Sequence, residues 1–284
     1  MEDSRVEAAR RTAMGVWISA LTAIGIPVAY VGSLYLFDRQ EFHQNHPQTI
    51  KRRFVGVALS TSLTFGLTVY LLSREHEWPL ERMGLTLSLD ALWKTLKSTA
   101  VLLSLYFGTI VMELDECGQK ARWNWFKWSS WRESLSEWMW WKNIVVAPFT
   151  EELAFRGCSA VLLRDAFGTA VAMYVGPLFF SCCHYHHLLD DVRQGDTWTR
   201  AILERTVQGA YTYLFGLYAT YLAFGCGNLL PAIAAHAVCN RFGLPRVFEL
   251  AAFDFRSPRP FVYAAAHLIG LSCFLFFLPA LGTC

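Results

Sequence analysis

Between Asn143 and Leu163 the chain reads NIVVAPFTEELAFRGCSAVLL. Without Glu151, Glu152 and Arg156 this would be an ordinary membrane-spanning run, so any fold must house two adjacent carboxylates and a guanidinium where hydrocarbon is expected. A charge at mid-bilayer costs about 2.5–3.5 kcal/mol on insertion scales, and such residues face a cavity or a partner rather than lipid. On a helix, Glu152 and Arg156 are four apart and share a face, with the acid on the favourable N-terminal side. Glu151 points about 100° away from Glu152 and is left for another partner. The plainer reading is a helix start, with Thr150 as N-cap and both acids answering the helix dipole. Polar residues in other apolar segments weigh against it.

Only 17% of the 284 residues are charged and 54% are hydrophobic, against about 25% charged in soluble domains. Together with the long apolar runs this indicates an all-α, polytopic membrane protein, since closed hydrogen bonding is what survives in lipid. The formal net charge of +2 gives no electrostatic case for nucleic acid, and Gly225-Cys226-Gly227 is too short for a phosphate loop. The eight cysteines include no CxxC pair and lie mostly in apolar runs, where they read as small buried hydrophobes. The N-terminal MEDSRVEAARR precedes an apolar run too long for a signal-peptide core, which reads as a retained anchor. Cys284 is the last residue, so the chain is not itself a CaaX prenylation substrate.

About eight spans are expected in one membrane domain, residues 1–284: Ala13–Phe37, Phe54–Ser73, Ser98–Met112, the opening stretch, Phe167–His184, Val207–Phe224, Asn228–Leu244 and Phe261–Leu281. The third is short for a span and borrows residues from Leu92 onward, next to a surface helix expected near Leu87–Leu96. Asn228 is placed as the N-cap of the seventh. The connector 118–142 holds Trp123, Trp125, Trp128, Trp131, Trp138, Trp140 and Trp141 among Lys and Arg residues, a composition that favours the headgroup layer. A wall guiding a lipid-bearing substrate is the alternative. Basic residues lie on connectors of both parities, so charge does not set the orientation.

Three apolar segments carry polar or aromatic residues at i, i+4 spacing: Glu152 with Arg156, Phe180 with His184, and His236 with Asn240. Each uncompensated polar group in lipid adds a penalty, so helices enclosing one polar cavity are the favourable arrangement. Two carboxylates, two imidazoles, an amide and a guanidinium suit water activation beside a polarised carbonyl. Glu151 is the candidate general base, with His184 sharing or orienting the water. His236 and Asn240 are candidate donors to the oxyanion of a tetrahedral intermediate, and Arg156 balances Glu152. Ser181, Cys182 and Cys183 are conceivable nucleophiles, although Cys182 diverges from the face of His184. The rival chemistry is a zinc site built from His184, His236 and Glu151 or Glu152; no HExxH exists, since His76-Glu77-Trp78 runs into Pro79. His186 and His187 are expected at a membrane edge, and His267 as a packing residue.

The ordered set Glu151-Glu152-xxx-Arg156, Phe180-xxx-His184 and His236-xxx-Asn240 resembles the type II CaaX prenyl endopeptidases, the Ras-converting branch of a superfamily of intramembrane proteases. Asn45-His46-Pro47 leading to Ile50-Lys51-Arg52-Arg53-Phe54, Ala147-Pro148-Phe149-Thr150 and Gly227-Asn228 are also similar to the eukaryotic members. The likeness covers roughly Asn45 to Leu244 and does not rest on the Trp-rich connector. It implies an eight-helix, metal-independent endopeptidase of the endoplasmic reticulum membrane, its site reachable from the cytosol. The substrates it implies are prenylated CaaX proteins such as Ras-like small GTPases, and no cofactor is implied. By that likeness Glu151 and His184 activate water, His236 with Asn240 form the oxyanion hole, and Glu152, Arg156 and Phe180 support them. A non-catalytic membrane scaffold of the same superfamily is the remaining alternative.

Overall fold

A computed structural model of the chain describes residues 2–37, 45–117, 127–253 and 256–282, with side chains in the first helix from Gly15 onward. Among the described residues every regular element is helical. Helices α1 (Glu2–Leu36), α2 (Pro47–Ser73) and the single turn α3 (Pro79–Arg82) come first. Next are α4 (Leu89–Leu105), α5 (Phe107–Glu116), α6 (Trp128–Ser136) and α7 (Trp138–Trp141). The stretch with the paired acids follows as a π-helical segment Lys142–Val146, α8 (Ala147–Glu152), a second π-helical segment Leu153–Ala160, and α9 (Val161–Phe167). The remaining helices are α10 (Thr169–Tyr174), α11 (Gly176–Cys183), α12 (His187–Arg193), α13 (Trp198–Gly225), α14 (Leu230–Phe242) and α15 (Arg259–Phe277). The chain groups into two compact units, Met1–Thr86 with Phe149–Leu229, and Leu87–Pro148 with Leu230–Cys284.

In the first unit, α2 starts where His46 Nδ1 accepts the Gln48 N–H at 3.3 Å and Pro47 occupies the first turn, where its missing N–H costs nothing. α1 packs along α2, α9 and the second π segment. Pro27 lies inside α1, so the carbonyl of Ala23 loses its helical donor. Ser159 on the π segment replaces it, its hydroxyl donating to Ala23 O at 2.8 Å. The fifth expected span is not one helix. Gly168, at φ 88°, separates α9 from α10, and Pro177 in the first turn of α11 separates α10 from α11. The Tyr213 hydroxyl donates to Tyr174 O at 3.2 Å beside that break. The connector after α2 is stapled to the end of α9: Asp165 receives Arg82 and His76, the latter at 2.9 Å. Asn228 Nδ2 donates to Thr86 O at 2.6 Å, and Leu229 N–H to Gly84 O at 2.9 Å, which ties the Gly227–Asn228 turn to the same connector.

In the second unit, α4 begins at Leu89 because Ser88 Oγ accepts the Ala91 N–H at 3.0 Å. No separate surface helix forms near Leu87–Leu96; Leu89 to Leu96 are the first turns of α4, and Leu87 and Ser88 precede it. α4 and α5 meet at Tyr106 with a 67° bend, and the Tyr106 hydroxyl donates to Gly243 O at 2.7 Å. α15 packs on both helices. His267 is a packing residue: its Nδ1 donates to Tyr263 O at 2.9 Å, and its ring fills the space a side chain at Gly108 would need, 2.2 Å from the site of a Cβ there.

Among the described residues, three helices are long and apolar enough to cross a membrane: Gly15–Leu36, Pro47–Ser73 and Arg259–Leu281; the bent α4–α5 pair makes a fourth if it is one span. The expected count of about eight is not reached on length and composition. α13 is 28 residues long, but its Thr and Tyr residues dilute the apolar run, and the other segments are short or broken. Of the cysteines, Cys158 and Cys226 are buried as expected, whereas Cys182 is exposed.

Candidate active site

The first unit brings Glu152, Arg156, Phe180 and His184 into one continuous stack. Glu152 and Arg156 are 0% and 2% exposed, and Arg156 Nη1 donates to Glu152 Oε1 at 3.0 Å. Their i, i+4 spacing survives although the backbone after Glu152 is π-helical, a geometry frequent at functional sites. The Arg156 guanidinium lies 4.3 Å over the Phe180 ring. The other side of the network is the edge-on contact of Phe180 with His184, ring centroids 4.9 Å apart. Phe180 also meets Phe155 edge-on at 5.1 Å, and Phe155 meets Tyr30 at 5.7 Å. A buried ion pair is held to its geometry by such packing, because losing either partner strands the other at a cost of about 3–5 kcal/mol.

His184 is oriented by its own helix. A carbonyl can only accept, so its Nδ1 carries the proton that bonds Phe180 O at 2.9 Å. In the neutral ring, Nε2 is therefore a lone-pair acceptor. Glu151 is half-buried at the other face of α8 and lies within electrostatic reach of the Tyr30 hydroxyl and of Cys183, the residue before His184. Thr150 does not simply cap a helix here; its Oγ1 bonds the Tyr30 hydroxyl at 2.9 Å, and residues N-terminal to it are already helical. The helix-start reading of the paired acids thus fails. The conceivable nucleophiles are engaged elsewhere: Ser181 Oγ donates to Gly209 O at 2.7 Å, and Cys183 Sγ faces Pro27 O at 3.8 Å.

The second unit carries His236 and Asn240 on α14. His236 is 5% exposed. Asn240 Nδ2 donates one N–H to Asn143 O at 3.0 Å, which orients the amide and leaves its second N–H available.

Several participants were not singled out in the sequence. Gly216 on α13 is one: a Cβ there would sit 2.8 Å from Pro177 Cβ and 3.2 Å from Arg156 Nη2, so α13 approaches the Arg156–Phe180 stack only through glycine. Tyr30 and Phe155 are others, and their only sequence signal is aromatic character at buried helical positions. His186 and His187, expected at a membrane edge, are half-buried, their rings 3.8 Å apart. They adjoin Arg205, which holds Asp191 through Nε and Nη2, each at 2.5 Å. Burial, then the neighbouring His186 and Arg205, push the His187 imidazole down to about 2. Within each unit, no three described His, Cys, Asp or Glu side chains are grouped so as to hold a metal ion. Of the Trp-rich connector, Trp123 and Trp125 lie outside the described residues; Trp128, Trp131, Trp138 and Trp141 are exposed.

Comparison with known proteins agrees with these motifs. Residues 133–242 match the family model "Type II CAAX prenyl endopeptidase Rce1-like". CAAX prenyl protease 2 of Caenorhabditis elegans is 33% identical over 92% of this chain and 96% of its own length. The human protein of that name is 31% identical over 93% of this chain and 81% of its own, and the Arabidopsis thaliana one 30% over 81% of each. No solved structure matches the chain. Identity at this level over nearly the whole length, with each acid, imidazole and amide in its motif, makes the chain a member of the type II CaaX prenyl endopeptidase, Rce1-like family.

Proposed function

We propose that this membrane protein, its residues 1–284 forming one protease domain, releases the C-terminal aaX tripeptide from prenylated CaaX proteins, using water activated by Glu151 and His184. The observation that carries the reading is the stack Glu152–Arg156–Phe180–His184, which fixes the imidazole with Nε2 as an acceptor beside the segment that presents Glu151. Glu151 takes one proton from the water, and His184 Nε2 accepts a hydrogen bond from the other and aims the oxygen. The oxygen adds to the carbonyl carbon of the prenylated cysteine. His236 and the second N–H of Asn240 stabilise the resulting oxyanion. Collapse breaks the C–N bond, and the proton held by Glu151 passes to the leaving amine. The products are a prenylcysteine carboxylate and a free tripeptide.

Ras-like small GTPases are the proposed substrates, the endoplasmic reticulum membrane the proposed location, and the cytosol the side from which the site is reached. The exposed tryptophans of α6 and α7 are assigned to the headgroup layer. The test is tripeptide release from a prenylated CaaX peptide by purified Glu151→Ala, His184→Ala and His236→Ala proteins. Each should lose at least about 10²-fold, the usual contribution of a general base or an oxyanion donor, with expression and melting retained. Normal turnover by a folded Glu151→Ala protein would remove the mechanism.

A further inference from the structure

Asn240 sits in the last turn of α14, which stops at Phe242 before Gly243 at φ 67°. In the second unit its backbone is held from the junction of α4 and α5. The Tyr106 hydroxyl donates to Gly243 O at 2.7 Å, and the Tyr106 ring stacks on Phe242 with centroids 5.1 Å apart. The backbone does not fix the amide. The terminal torsion of asparagine is broad and close to two-fold, so an unanchored side chain presents Oδ1 as readily as Nδ2. An oxyanion is repelled by the first and stabilised by the second.

The anchor is Asn143 O, 3.0 Å from Asn240 Nδ2. A carbonyl within a helical segment ordinarily receives a backbone N–H of its own helix. In the α-helical register Asn143 O would take the Ala147 N–H, but the π turn Lys142–Val146 sends that donor to Lys142 O. In the π register the next donor in line is residue 148, a proline, which has no N–H. The wide turn and the proline together leave this one carbonyl to a side-chain donor. An amide turned the other way would set Oδ1 against another oxygen, so Asn143 O selects the orientation. We propose that Pro148 is a positioning residue of the reaction: by supplying no N–H it reserves Asn143 O for Asn240, and so fixes which end of the amide is presented to the substrate. The inference rests on the reading of Asn240 as an oxyanion donor.

The test uses purified full-length Pro148→Ala and Pro148→Gly proteins in detergent. Each returns an N–H that competes with Asn240 for Asn143 O, and alanine and glycine differ in helix propensity. In both, kcat for tripeptide release from a prenylated CaaX peptide should fall about ten-fold with KM little changed, the loss that one misplaced hydrogen bond entails. The two falls should match although the melting temperatures differ, which a purely structural role would not produce. In an Asn240→Ala background either change should leave the residual kcat as it is, because the amide it positions is gone. Wild-type kcat in a folded Pro148→Ala protein, or an equal fall in both backgrounds, overturns the inference. Asn240→Ala alone tests the reading beneath it: full turnover by that protein would remove the oxyanion role itself. Equilibrium unfolding gives a readout independent of turnover. Asn240→Ala should lower the stability of the wild type and leave that of the Pro148→Ala protein unchanged; equal costs would show that the proline does not reserve the carbonyl.

Discussion

A histidine in an apolar segment is ambiguous until its partners are known, and the neighbours of His184, His187 and His267 decide three different uses. His267 is a packing ring against Gly108. His184 is held by the Phe180 carbonyl, which takes the Nδ1 proton and makes Nε2 the acceptor. His187 is kept neutral, its imidazole driven to about 2 by burial and by the positive field of His186 and Arg205, with His184 and Arg53 adding and Asp190 nearby. In the unfolded chain a histidine titrates near 6.5. Between about pH 2 and about pH 6.5 the unfolded state binds a proton that the folded state refuses, so stability rises with pH through that window and is complete above it. Thermal unfolding of the wild type should therefore fall on acidification from about pH 7 to about pH 5. His187→Gln should show a shallower fall; an identical slope would assign the acid sensitivity to other groups. Of this residue-level picture, the pairing of Glu152 with Arg156 and of Phe180 with His184 was legible, because helical periodicity alone places them together. Gly216 was not legible: nothing local marks a glycine as the gap through which another helix reaches Arg156.

At the level of elements, breaks were harder to read than spans. Pro177 and Gly168 divide an apolar run that reads as one helix, because hydropathy averages over the residues that stop a helix. The π-helical turns at Lys142–Val146 and Leu153–Ala160 have no sequence signature; they depend on neighbours that accept the displaced backbone groups. Pro27 illustrates the compensation. Its missing N–H frees Ala23 O, and Ser159 Oγ supplies the donor. Ser159→Ala should then cost about 1 kcal/mol, the typical net value of a hydrogen bond in such settings. In a Pro27→Ala background the helix regains its own donor to Ala23 O, and the same Ser159→Ala change should cost close to nothing. Equal costs in both backgrounds, measured by equilibrium unfolding in detergent, would show that the serine does not serve the proline break.

At the scale of the molecule, composition identified a helical membrane protein and the motif set identified the family, while the number of spans stayed beyond reach. Hydropathy counts a segment as a span only when few polar residues interrupt it, and here the interrupted segments are those that carry the three motifs: α8 and its π continuation, α11 and α14. The same residues bear on whether a metal or a carboxylate activates the water. A zinc site would draw on His184, His236 and a glutamate, and zinc ligands need their lone pairs directed at one point. An Nε2 lone pair fixed by the Nδ1–H bond to Phe180 O suits either a zinc ion or the hydrogen bond to water in the proposed mechanism, so removal of metal separates the two. Protein dialysed exhaustively against a strong chelator, then shown metal-free by elemental analysis, should retain full tripeptide release. Glu151→Gln, which keeps the side-chain volume but has no basic carboxylate, should lose about 10²-fold or more in kcat with KM little changed. Loss of activity on chelation with recovery on added zinc would reverse the assignment and make the histidines ligands.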